Sequence, residues 1–154
     1  MIHRARWVCP SMSTTITADL VGGTHVTITN GRHQWVADEP TELGGTDLGP
    51  NPYELLLGSV ASCTAITIAF HAKRKGIELD SVSVQYSFER IHADDCVDCD
   101  DDATGFIDHV ISDVFVEGDF DEAQRARIAD IATRCPVHRT LDAGIHFTDR
   151  VHVG

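Results

Sequence analysis

Apolar and polar residues alternate from the start of the readable pattern: Ile16, Ala18 and Leu20, then Gly22-Gly23, then Val26 and Ile28, then Asn30-Gly31, then Trp35 and Ala37. A period of two, broken twice by glycine-bearing turns, predicts a three-stranded antiparallel meander. Residues Asp38 to Asn51 contain Pro40, Gly44, Gly45, Gly49 and Pro50, the composition of a rigid loop. From Leu55 to Phe70 the apolar positions lie nearly all round a helical wheel, which predicts a central helix covered in part by another subunit. Asn51 is placed to cap that helix, Pro52 suits its first position, and Glu54 falls where a capping-box acid reaches back. Lys73, Arg74 and Lys75 complement the dipole at its C-terminal end, and Gly76 supplies the stop.

Val82, Val84, Tyr86 and Phe88 then alternate as a strand, and Val110, Val114 and Val116 as another, so a long hairpin is expected. Asp119 and Glu122 form a second capping box, opening a helix with Ile128, Ile131, Ala132 and Cys135 on one face. Pro136 interrupts it, which lets Cys135 cap a new turn running through Leu141. Alternating Ile145, Phe147, Val151 and Val153 predict a final strand. The order is βββ-α-ββ-α-β, an α+β fold, with one domain over residues 13–154 behind a loosely ordered leader, 1–12, in which Met12 is an alternative start.

Composition narrows the function. With 24 acidic against 12 basic residues the chain carries a formal charge of −12, which repels a phosphate backbone and argues against nucleic-acid binding. The first ten residues lack the apolar run of about 7–15 residues that a secretory signal needs. Gly58, Ser59, Ser62, Thr64, Thr67 and His71 interrupt the most apolar segment, as suits a buried helix rather than a membrane span. A cytoplasmic protein is expected, and its five cysteines then read as thiols kept for reactivity or metal rather than as a disulfide framework.

By spacing alone, mid-helix Cys63 reads as a small buried hydrophobe beside Ser59, Val60, Ile66, Thr67 and Phe70. Cys135 is different. A thiol that caps a turn meets helix N-terminal amides, and His138 lies three residues on, so both lower its pKa. A third group, Cys96 and Cys99 at C-x-x-C spacing with His92 four residues earlier, lies among carboxylates: six of the nine residues from Asp94 to Asp102 are Asp. Like charges disfavour thiolate there but attract a divalent cation, so zinc is the better expectation than redox, with His109 or a loop Asp as fourth ligand. An acidic solvated loop with no ligand is the other reading. There is no Gly-rich phosphate loop and no H-x-x-x-H pair.

The run Gly44-Gly45-Thr46-Asp47-Leu48-Gly49-Pro50-Asn51-Pro52-Tyr53-Glu54, leading to Ala61-Ser62-Cys63-Thr64 and followed far downstream by Cys135-Pro136-Val137-His138-Arg139-Thr140-Leu141, resembles the OsmC/Ohr family of thiol peroxidases, in a less characterised redox branch. The resemblance implies an intertwined homodimer with central helices at the interface. It also implies that Cys63 attacks a peroxide and Cys135 resolves the product, against the local ranking that favours Cys135. The organic-hydroperoxide branch carries its catalytic Glu one position earlier, where this chain has Tyr53. Glu54 follows, and one residue turns a helical side chain by about 100°. The branch's activating Arg comes from the N-terminal strands, where Arg32 is the candidate, with Arg139 as second.

The implied mechanism reduces organic hydroperoxides through a Cys63 sulfenate and a Cys63–Cys135 disulfide, which a lipoylated protein or small thiol reduces by exchange. It requires no bound organic cofactor. Its catalytic set is Cys63, Cys135, Arg32, Glu54 and His138. The alternative is a non-enzymatic zinc-binding or thiol-redox sensor built on Cys96, Cys99 and His92.

Overall fold

A computed structural model describes residues 14–95 and 104–154. The N-terminal pattern forms as expected: β1 (Thr17–Asp19), β2 (Val26–Thr29) and β3 (Gln34–Ala37) make an antiparallel sheet in sequence order. Thr17 pairs with Thr29, and Ile28 with Trp35. The Asn30 side chain accepts the amides of Arg32 and His33, which fixes the tight turn between β2 and β3.

The rigid loop that follows is organised by one carboxylate. Asp38 is buried, and its oxygens accept the hydroxyls of Thr24 and Thr46 and the amides of Glu39, Thr46 and Leu48. Two glycines of the motif allow close backbone approach: a Cβ on Gly45 would collide with the Glu39 carbonyl, and one on Gly49 would lie 2.6 Å from the Val36 carbonyl oxygen.

The central helix, α1 (Pro52–Lys75), begins and ends where the sequence predicts. Asn51 Oδ1 accepts the Glu54 amide at 2.9 Å, and Glu54 Oε2 accepts the Asn51 amide at 2.7 Å, so the capping box is complete. By length and composition α1 is apolar enough to cross a membrane. Its middle nevertheless belongs to a core, where Ile68 packs with Phe120, Ile128 and Ile131.

The chain divides into two compact units, Met1–Leu55 and Leu56–Gly154. In the second, β4 (Ser81–His92) and β5 (Phe106–Glu117) pair along their full length, from Ser81 with Glu117 to His92 with Phe106. α2 (Glu122–Ala132) starts two residues later than the predicted box: Asp121 is the cap, with Gln124 returning the bond. The reason is Phe120, which is buried in the core and fixes the chain's entry, leaving Asp121 at the cap and Arg125 over its ring at 5.7 Å. α3 (Pro136–Asp142) follows after Thr133 caps α2.

The architecture is α+β, as expected. One element differs. The segment with Ile145, Phe147, Val151 and Val153 forms no strand, and all four side chains are exposed. Alternation specifies a strand only where a partner edge accepts its backbone, and among the described residues none does.

Candidate active site

The site lies in the second unit and is built from α1, β4 and the start of α3. Cys135 caps α3 because Pro136 takes the first helical position and needs no amide partner. Its sulfur is fully buried and accepts the His138 amide at 3.5 Å. The same sulfur lies 3.7 Å from the Val60 carbonyl oxygen of α1. Cys63 stands one helical turn beyond Val60, so the two sulfurs meet and share a hydrogen bond. Both are free thiols, Cys63 partly exposed and Cys135 buried.

Their environments push them apart. Burial pushes the Cys63 thiol up, as does its bond to Cys135, and the Val137 amide and Thr67 hydroxyl only partly oppose this. Burial pushes Cys135 up as well. Hydrogen bonds from Cys63, the His138 amide, the Thr64 hydroxyl and the Val137 amide outweigh it, so Cys135 falls below the ordinary thiol value. The local sequence ranking of the two thiols follows the same direction.

His138 contributes its backbone amide, and its side chain is exposed. Arg32 lies in the β2–β3 turn and Glu54 in the α1 capping box, both in the first unit. Cys96 and Cys99 lie outside the described residues. His92 ends β4 with its ring edge-to-face against Phe106, and His109 Nδ1 is 3.1 Å from Glu89 across the hairpin. Among the described residues no three His, Cys, Asp or Glu side chains gather as a metal site.

Two residues enter that the sequence did not single out. Thr64 is fully buried beside Cys63, and its hydroxyl lies 3.3 Å from Tyr86 Oη of β4. The available signal was a β-branched hydroxyl residue in mid-helix, where threonine is a poor helix former.

The OsmC-like protein profile matches residues 45–149 of the chain. An OsmC-like protein of Mycoplasma pneumoniae superposes with a TM-score of 0.65 at 22% identity, covering 86% of this chain and 89% of its own. The organic hydroperoxide resistance protein OhrB of Bacillus subtilis superposes at 0.53 with 25% identity, covering 83% and 89%. An organic hydroperoxide resistance protein of Legionella pneumophila gives 0.57 at 23% identity, over 84% and 88%. The uncharacterized protein YmaD of Bacillus subtilis is 39% identical over 46 residues, a match that spans 30% of this chain and 31% of that relative's length. With the profile matched over more than half of its residues, the chain belongs to the OsmC-like protein family.

Proposed function

We propose that this protein is a thiol peroxidase that reduces organic hydroperoxides with Cys63 and Cys135. The observation that carries the reading is the sulfur pair itself: two free thiols in mutual hydrogen bond, one partly exposed and one buried. Peroxide reaches Cys63, whose sulfur takes the distal oxygen, releasing an alcohol and leaving Cys63 sulfenic acid. Cys135 then displaces the hydroxyl as water and the Cys63–Cys135 disulfide forms. An external dithiol, a lipoylated protein or a small thiol, restores both thiols by exchange. Accessibility thus favours Cys63 as the attacking sulfur.

The names of the Bacillus and Legionella structures support a peroxide substrate. Ile66 and Phe70, one and two turns beyond Cys63, are exposed and would suit an alkyl chain better than hydrogen peroxide. A second copy of the chain would cover these side chains and the exposed Phe106, Val110 and Phe115 of β5, and a homodimer is part of the proposal. So is a cytoplasmic setting, since both thiols must be reduced before peroxide arrives. The test is peroxide consumption with a dithiol reductant across hydrogen, tert-butyl and fatty-acid hydroperoxides. Consumption no faster than that of Cys63→Ser for every substrate would overturn the reading.

A further inference from the structure

We propose that the groove between β5 and α2 is a binding site for a single-chain alkyl carboxylate. The inference goes beyond the peroxidase reading and does not rest on it, since the ligand carries no peroxide bond and neither Cys63 nor Cys135 lines the groove.

Side chains of a strand alternate between two faces, so Ser112, Val114 and Val116 share the face of β5 that lines the groove. On α2, Arg125, Ile128, Ala129, Ala132 and Thr133 fall at i, i+3, i+4, i+7 and i+8, one continuous stripe. The two surfaces do not close on each other and leave a groove of about 470 Å³. The reason is in the side chains. Phe120 and Ile128 hold α2 to the core, whereas Ala129 and Ala132 present one methyl each where a larger residue would fill the gap. Interiors otherwise pack to the density of organic crystals, and this volume falls in the range of about 300–1,000 Å³ usual for ligand sites.

Charge selects the occupant. The chain carries −12 overall, yet no Asp or Glu lines the groove, and its two ionisable side chains are Arg125 and His138. Asp121 stands four residues before Arg125, the spacing of a helical ion pair, but it is engaged as the α2 cap with the Gln124 amide. The Arg125 guanidinium instead lies over the Phe120 ring, 5.7 Å from its centre. Among the described residues it meets no carboxylate. A guanidinium accepts a carboxylate through two parallel N–H bonds, and the valines, Ile128 and the two alanines take an alkyl chain. From Arg125 to Thr133 the helix rises about 12 Å, which suits a medium-chain fatty acid and not acetate.

Methyl NMR of the full chain, titrated with decanoate below its micelle concentration, tests the site. The Val114, Val116, Ile128 and Ala132 methyl signals should shift together and saturate. Arg125→Gln should weaken binding about tenfold, the size of a lost hydrogen bond to an ionised group. Decanol should bind the native chain about tenfold more weakly than decanoate does, and should bind Arg125→Gln as well as it binds the native chain. Ala129→Phe, at an exposed position, should abolish the shifts by filling the groove. Equal decanoate affinity in the native chain and Arg125→Gln would overturn the proposal, as would shifts that never saturate or that centre on other residues. Groove methyls that move when the protein alone is diluted, and that decanoate leaves unmoved, would make a second copy of the chain the occupant and overturn it too.

Discussion

The sulfur of Cys135 lies 3.7 Å from the carbonyl oxygen of Val60, 75 positions earlier in the chain. Because Cys63 follows Val60 by one helical turn, that contact places the cap of α3 against the Cys63 face of α1. The expected oxidation product is a Cys63–Cys135 disulfide, formed with little movement. Peptide mapping after one equivalent of peroxide checks it, and recovery of Cys96–Cys99 as the oxidised pair would count against it.

Single-turnover kinetics should separate the two sulfurs. Cys63→Ser should abolish peroxide reduction. Cys135→Ser should still complete one stoichiometric reduction and then stall at sulfenic acid. If Cys63→Ser keeps the first turnover and Cys135→Ser loses it, the roles are reversed.

What the sequence disclosed about this site was its local half. The capping of α1 by Asn51, Pro52 and Glu54, and of α3 by Cys135 and Pro136, depends on residues within one turn of each other, and both form as read. The start of α2 was misplaced because two aspartates compete for the cap, and the burial of Phe120 against Ile68 decides between them. Thr64 and Tyr86 are 22 residues apart, and no periodicity reports a contact between a helix face and a strand. The unformed last strand has the same origin, since its alternation is local and a partner edge is not.

Ile68 is 1% exposed at the centre of the second unit's core, against Phe120, Ile128 and Ile131. Ile68→Ala should lower stability by about 2–5 kcal/mol, the lost transfer energy plus the cavity left behind. Urea denaturation measures it, and a loss under about 1 kcal/mol would place the core elsewhere.

His71 is buried on α1, and neither ring nitrogen has a hydrogen-bond partner among the described residues. Burial holds its pKa below the ordinary histidine value, helped by Arg127, Arg74 and Lys75 and opposed by Asp130. Below about pH 6.5 the unfolded chain binds a proton that the folded one refuses, so stability falls on acidification through that value. His71→Leu should flatten this fall in the denaturation midpoint. An unchanged pH dependence would show that other groups set it.

Asp38 behaves in the opposite chemical sense with the same outcome. The Thr46 and Thr24 hydroxyls hold its carboxyl well below the usual range against the opposing effect of burial, with the Leu48 and Glu39 amides helping. Its contribution is present above the ordinary aspartate pKa of about 3.9 and is lost as pH falls below it. Asp38→Asn turns an amide donor toward other donors. Hydrogen exchange at the Thr46 and Leu48 amides should quicken about tenfold, and unchanged exchange would exclude Asp38 as the organiser of the loop.

The cap of α3 also bears on how this chain can change. Cysteine is not among the residues that cap helices best; Ser, Thr, Asp and Asn are. At position 135 a serine oxygen could accept the His138 amide that the sulfur now takes at 3.5 Å. A chain selected for folding alone would therefore carry one of those residues there, and Cys135→Ser should unfold no more easily than the native protein. Stability and the proposed chemistry ask for different side chains at this one position, and the residue present is the one that folding would not have chosen.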